Sequence, residues 1–254
     1  MNLAALDENL AWHASHLHRF APGMRVLTSG DVLVCDSGLS DDTFNIVAAA
    51  RFGGRDADAR IAATLAVVRA TGRPFTWWVG PSSKPTDLSE RLLAAGLPVG
   101  ERELAMWCRT GPRPVDRPVR VVSTRAELAD WACVVAANWL PPSPTVVEFF
   151  ARTTPWALAP DSPSRYLIGY ADDRPVAAAE LCFGAGVAGF YNVCTLAAQR
   201  RRGWANALLS FGLDLAAADG CQTAILQAAL DAVTVYERLG FAACGDVVEH
   251  AIRP

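Results

Sequence analysis

Lysine is almost missing from this chain of 254 residues: Lys84 is the only one, and arginine carries the rest of the Lys and Arg charge. The formal net charge is -3 at pH 7, and the isoelectric point lies near 5.8. No global positive field therefore exists to recruit nucleic acid or an anionic membrane. A C-x-x-C pair is also missing. The seven cysteines, Cys35, Cys108, Cys133, Cys182, Cys194, Cys221 and Cys244, are odd in number and scattered. They fit a reducing, cytoplasmic setting better than a disulfide framework or a zinc site. The opening stretch MNLAALDENLAWHASHLHRF has no basic segment followed by an apolar core, so no signal peptide is expected. There is no G-x-x-x-x-G-K-[ST], which excludes a P-loop NTPase. A G-x-G-x-x-G followed by a ribose-binding acid is lacking too, so a dinucleotide fold is unsupported.

What the chain does have is apolar bulk. It is 52% hydrophobic, enough for a large core in one or two domains. The run VAAAELCFGAGVAGFYNVCTLAA, residues 176–198, is long enough to suggest a membrane helix. Glu180 inside it, the Gly184-Ala185-Gly186 turn and its Val, Phe and Tyr content favour a buried β-hairpin instead.

The stretch TGPRPVDRPV, residues 110–119, holds three prolines and reads as a linker, taken as 111–118. Each side of it alternates strands and helices. The first half, 1–110, opens with a helix and a hairpin around RVLTSGDVLVCD. A strand near 43–52, a helix near 56–70, a strand at 74–80, a helix at 87–96 and a strand near 103–108 follow. The second half, 119–254, starts with a strand at 119–122 and a helix capped by Ser123. A short helix at about 145–152, strands near 165–171, 176–183 and 187–196, and a long helix closed by Gly220 come next. It ends with a strand at 223–227, a helix at 231–239 and a strand from 243 to 252. The segments SERLLAAGLPVGERELAM and VYERLGFAACGDVVEHAI share a helix, a glycine turn at Gly96 or Gly240, a second glycine and a strand. That repeat points to two copies of one α/β fold, with chance helix–turn–strand similarity as the rival reading.

The chemistry concentrates at VCTLAAQRRRGWANALL, residues 193–209. A strand runs into a loop that opens a helix, whose first amides lack intrahelical partners and whose dipole favours an anion. Phosphate suits that position. Gly203 permits close approach, Ala205 is the next small residue, and Arg200, Arg201 and Arg202 can add contacts to phosphate oxygens. Leu208, Phe211, Gly212 and Leu215 give the helix a core-facing stripe.

These residues resemble the acyl-coenzyme A motif of the GNAT acetyltransferases, R/Q-x-x-G-x-G/A after a strand ending in V-x-T. Arg200-Arg201-Arg202-Gly203-Trp204-Ala205 fills it after Val193-Cys194-Thr195. DAVTVYERLGF, 231–241, resembles the family's later helix with its Tyr-x-x-x-Gly-Phe ending at Tyr236, Gly240 and Phe241. The resemblance covers roughly 118–254. The first half is similar to the degenerate N-terminal copy of tandem GNAT-like proteins and lacks that cradle. The resemblance implies two GNAT-like α/β domains, each a mixed, mostly antiparallel sheet flanked by helices. It also implies acetyl-CoA as donor, with loop amides from Arg201 to Asn206 on the pyrophosphate and Val193 and Thr195 on the pantetheine arm.

By the same resemblance Tyr236 is the general acid for the departing thiolate; its rival role is core packing. Glu180, a carboxylate in an apolar strand, is the first candidate base, against a solvent-facing place on a hairpin. His250 is a second candidate, with a surface position as the alternative. His13, His16 and His18 do not share one helical face, so no metal site is expected. Cys194 lies beside the expected thioester, where a buried structural cysteine is the ordinary reading. Trp204 sits near the adenine or in the core. Trp139, Trp156, Phe149 and Phe150 line an acceptor pocket or simply pack, and the N-terminal half is expected to shape that pocket.

The function expected is acetyl transfer to a primary amine of a small molecule, in a monomer or homodimer, with no nucleic-acid or membrane partner. Two alternatives stay open: an aminoacyl-tRNA-dependent transferase of the same fold, and a coenzyme A-binding protein without turnover.

Overall fold

The computed structural model describes residues 2–254. By compactness the chain forms two units: Met1–Ala105 with Cys244–Pro254, and Met106–Ala243. A linear cut at the linker thus does not follow the compact units at the C-terminus, where the last strand completes the first unit's sheet. An end strand is free to do this because its pairing partners need not be its sequence neighbours.

The first unit contains α1 (Leu3–Ser15), β1 (Arg25–Thr28), β2 (Leu33–Asp36), β3 (Ile46–Ala48), α2 (Ala57–Arg69), β4 (Phe75–Val79), α3 (Leu88–Ala94) and β5 (Val99–Arg109) up to Ala105. Strands β1, β2 and β3 pair antiparallel, and β3 pairs parallel with β4. The closing strand β11 (Ala242–Ile252) pairs antiparallel with β4, with Glu249 opposite Trp78. Ile61, Leu65, Val68, Phe75, Trp77 and Leu92 anchor its core.

The second unit runs β6 (Val119–Val121), α4 (Arg125–Ala136), α5 (Pro144–Ala157), β7 (Ser164–Ala171), β8 (Arg174–Gly184), β9 (Val187–Thr195), α6 (Trp204–Ala218), β10 (Thr223–Ala229) and α7 (Val233–Glu237). Its sheet order is β6-β7-β8-β9-β10, antiparallel except for the parallel pair β9–β10. The apolar run at 176–198 is the β8–β9 hairpin. Its turn holds Ala185 at φ 52 and Gly186 at φ 73, the two positive values a tight hairpin turn requires.

Two helix boundaries differ from the sequence expectation. Thr124, not Ser123, is the N-cap of α4: its hydroxyl accepts from the Glu127 amide, and Glu127 reaches back in a capping box. Ser123 joins from outside, donating its N–H and O–H to Glu127 Oε2. Helix α5 runs on to Ala157, past the expected end near 152; at its start Ser143 caps it and Pro144 sits in the first turn, where no amide is needed.

The repeat is visible in bond patterns. Gly96 donates to the Leu93 carbonyl and Leu97 to that of Leu92; Gly240 donates to Glu237 and Phe241 to Tyr236. Both glycines have φ near 85°, 84 and 88, which closes a helix in the left-handed region. Tyr236 in the second unit therefore stands where Leu92 stands in the first.

Candidate active site

The site grows from a parting of two strands. The β9–β10 register runs from Ala188↔Ala224 through Phe190↔Leu226 and ends there, although β9 continues to Thr195 and β10 to Ala229. From Asn192 to Thr195, β9 has no β10 partner among the described residues. An extended ligand can add to such an edge through main-chain hydrogen bonds.

A bulge marks the same place. Ala178 pairs with Cys194 and Glu180 with Tyr191, so Asn192 and Val193 together face Ala179. Asn192 takes φ 53, a left-handed value that asparagine tolerates better than most residues. Trp131 of α4 donates its indole N–H to the Ala179 carbonyl at 3.0 Å, satisfying an acceptor within the disturbed ladder. Trp131, Phe150 and Tyr166 stack edge to face at 4.7–5.8 Å between centroids above this stretch. Such pairs add about 0.5–1.5 kcal/mol each beyond burial.

Glu180 lies in this layer with only 1% of its surface exposed. Ser164 donates its hydroxyl to Oε1 at 2.7 Å, and Asn192 donates its amide to Oε2 at 3.1 Å. The solvent-facing alternative is thereby excluded. Its charge adds to burial in pushing up the hydroxyl of Tyr166 and the thiol of Cys182. Neither Asn192 nor Ser164 was singled out from sequence. Asparagine inside a Val, Phe and Tyr run was the one available signal, because strands disfavour it.

The loop beyond β9 leads into α6. Gly203 is its N-cap with φ 86, and no side chain caps the helix. A Cβ at Gly203 would meet nothing closer than 3.7 Å. Its left-handed backbone conformation by itself calls for glycine there. Amides of Trp204, Ala205 and Asn206 open a 15-residue helix with no acidic residue in its first turn. Arg200, Arg201 and Arg202 are exposed around it, and Arg200 Nε holds the Thr195 carbonyl at 3.2 Å. These features fit the diphosphate of a coenzyme A thioester.

Trp204 is 4% exposed and packs with Leu167, Ala177 and Leu208, with Gly169 leaving space for its ring, so its place is the core. Tyr236 is mostly buried on α7, its ring edge-on to Phe241 at 6.1 Å. Cys194 has its thiol pushed up to about 11 by burial. Phe149 and Phe150 are core residues, whereas Trp139 is exposed.

His250 belongs to the first unit and is fully buried, contrary to a surface position. Its ring bonds Ser89 Oγ at 2.7 Å and the Leu97 carbonyl at 3.1 Å. The N-terminal histidines also address the backbone: His16 meets the His13 carbonyl at 2.9 Å and His18 that of Phe44 at 2.8 Å. Burial pushes the His18 ring down to about 4.

The second unit thus combines a parallel pair that parts beside a bulged strand with an uncapped, glycine-led helix after β9. Residues 131–241, which lie within the second unit, match the model of the acetyltransferase (GNAT) family. Solved structures extend the likeness over the length of the chain. A GCN5-related N-acetyltransferase from Kribbella flavida is 18% identical with a TM-score of 0.73, covering 99% of this chain and 96% of its own. One from Sphaerobacter thermophilus is 17% identical, TM-score 0.60, covering 100% and 95%. A tandem GNAT protein from the clavulanic acid biosynthesis pathway is 12% identical, TM-score 0.62, covering 92% and 85%. No curated protein matches the chain.

Proposed function

We propose that the second unit is an N-acetyltransferase that moves an acetyl group from acetyl-CoA to a primary amine of a small molecule by direct attack in a ternary complex. The observation that carries this reading is the parting of β9 from β10 beside the uncapped, acid-free start of α6. No helix among the described residues is long and apolar enough to cross a membrane, and we place the reaction in the cytoplasm on the cysteine pattern.

When bound, acetyl-CoA supplies a thioester whose acyl carbon accepts the amine. The α6 amides and Gly203 hold its diphosphate, and Arg201 and Arg202 add positive charge at the rim. The β9 edge at Val193 carries the pantetheine arm. Glu180 takes the proton released as nitrogen bonds to the acyl carbon, directly or through water. Its two neutral donors, Ser164 and Asn192, fix both carboxylate oxygens in place. Tyr236 gives its phenolic proton to sulfur as the carbon–sulfur bond breaks, and regains one from solvent.

The test is a panel of amines with acetyl-CoA, read as thiol release. Glu180→Gln and Tyr236→Phe should each lower kcat by about 10²–10⁴-fold while acetyl-CoA affinity, read by calorimetry, changes little. Binding without thiol release for any amine in the wild type would overturn the enzymatic reading.

A further inference from the structure

The linker and β6 carry three arginines in the second unit, and they have different occupations. Arg113 reaches the Arg109 carbonyl at 3.5 Å. Arg120, just inside β6, pairs with Glu127 at 2.8 Å and lies over the Tyr170 ring at 4.4 Å. Arg117 makes no ion pair among the described residues. Its guanidinium stands over the Trp204 indole, 5.8 Å from the centroid. Trp204 is the first residue of α6, so this contact holds a cation against the start of the helix.

The neighbouring residue points to the same spot with opposite sign. A Cβ built on Gly203 would lie 3.7 Å from Asp116 Oδ2 and 3.9 Å from Arg117 Nε. Both linker side chains thus flank the N-cap residue of the helix. They are exposed, and Asp116 also forms no ion pair among the described residues. The two sit outside the Arg200–Asn206 motif, more than 80 residues away along the chain.

We propose that Arg117 is a further phosphate-binding residue of the cradle, supplied by the linker, and that Asp116 opposes it by setting a negative charge where the phosphates arrive. Trp204 has a purpose in this arrangement that its burial alone does not give: it is the platform that fixes Arg117. Cation–aromatic contact orients the guanidinium without neutralising it, so its N–H groups remain available to phosphate oxygens. Asp116 has the reverse effect, since a carboxylate at a helix N-terminus competes with an incoming anion for the same partial positive charge. The linker thereby sets the strength of cofactor capture through two adjacent residues of opposite sign.

This inference rests on the α6 cradle being a coenzyme A site. Calorimetric titration of the full chain with acetyl-CoA tests it without needing the acceptor. Arg117→Ala should weaken binding by about 5–10-fold at about 20 mM salt, and the deficit should shrink at about 300 mM as exposed charges are screened. Asp116→Asn should tighten binding by about 2–3-fold under the same low-salt conditions. Neither change should move the melting temperature of the unliganded protein by more than about 1 °C, because both side chains are exposed. The proposal is overturned if Asp116→Asn weakens binding, or if the Arg117→Ala deficit is the same at both salt concentrations, which would mean packing on Trp204 rather than charge. Failure of the wild type to bind acetyl-CoA would instead overturn the cradle itself, and this inference with it.

Discussion

The two units share a succession of three strands, a helix, a strand and a helix, yet they treat one position in opposite ways. In each, a parallel pair of strands is followed by a loop and a helix. In the second unit β9 and β10 part after Phe190 and Leu226. In the first, β3 and β4 pair only at Ile46↔Thr76 and Val47↔Trp77, and the chain then fills the space beyond with itself. Lys84 donates its amide to Ala50 at 2.9 Å and accepts from Phe52 at 3.0 Å, a parallel bridge with Arg51. The only lysine of the protein thus uses its backbone to occupy the strand edge beyond β3. Charge follows the same division. Helix α2 begins with Asp56 as N-cap and Asp58 in its first turn, which repel an anion, whereas the first turn of α6 has no acid. The position proposed for the general acid holds Leu92 in the first unit and Tyr236 in the second. The first unit thus keeps the strand and helix succession while differing from the second at a short loop, two aspartates and a leucine.

The largest effect expected from this comparison is at the glycines. Gly203→Val forces a β-branched residue to φ 86, which costs roughly 1–2 kcal/mol or more and turns the cradle amides away. Acetyl-CoA affinity should fall by about 30-fold or more, measured by calorimetry. Gly54 occupies the matching loop of the first unit, has no positive φ and has nothing within 4 Å of an added Cβ. Gly54→Ala should leave both affinity and melting temperature unchanged. Equal damage from the two changes would end the claim that only one cradle is in use.

Much of this was legible in the sequence where local chemistry decides. The Gly96 and Gly240 turns, the hairpin at Ala185–Gly186 and the entry to α6 follow from residues that tolerate left-handed backbone or cannot cap a helix. What escaped was set by distant partners. That residues 244–254 join the first unit depends on sheet pairing, not on any residue in the strand. The Asn192 bulge shows itself only against Ala179 across the hairpin, and the Ser164 bond to Glu180 spans 16 residues. The occupation of the first unit's edge by Lys84 joins segments with no pattern in common. Whether His250 is buried likewise turned on Ser89 and Leu97, far away in the chain.

A second, smaller difference between the units is their response to pH. Burial pushes Glu249 on β11 up to about 8, with repulsion from Glu103, Glu101 and Asp42 added and the Trp78 side chain offsetting part of it; burial and repulsion from Glu101 push Glu103 on β5 up to about 7. Both carboxyls hold their protons more tightly folded than unfolded. The stability they contribute is complete below about pH 4.5, the ordinary glutamate value, and is lost as pH rises through about 7 to 8. The melting temperature should therefore drop by roughly a few degrees between pH 5.5 and 8.5, and Glu249→Gln should flatten that drop. Acetyl-CoA affinity at fixed pH should be unaffected by the substitution. A change in affinity would mean that the first unit's carboxyls reach the second unit's cradle.

The smallest effect expected is at cysteine, where the two units agree. Cys35 on β2 has its thiol pushed up to about 12 by burial, and Cys194 on β9 up to about 11. Cys194 lies between Val193 and Thr195, on the edge assigned to the thioester, and sequence position alone would make it a tempting nucleophile. Its sulfur meets the Val134 carbonyl at 3.9 Å, the Asn138 side chain and the Ala178 backbone, none of which is a base. A thiol held that far above neutral pH is almost wholly protonated, and the thiolate is the reactive form. Direct attack by the amine needs no such nucleophile. Cys194→Ala should keep thiol release within about twofold of wild type, with initial-rate patterns that intersect as a ternary complex requires. Parallel patterns in the wild type, together with loss of activity in Cys194→Ala, would show an acyl-cysteine route and move the chemistry from Glu180 to the sulfur.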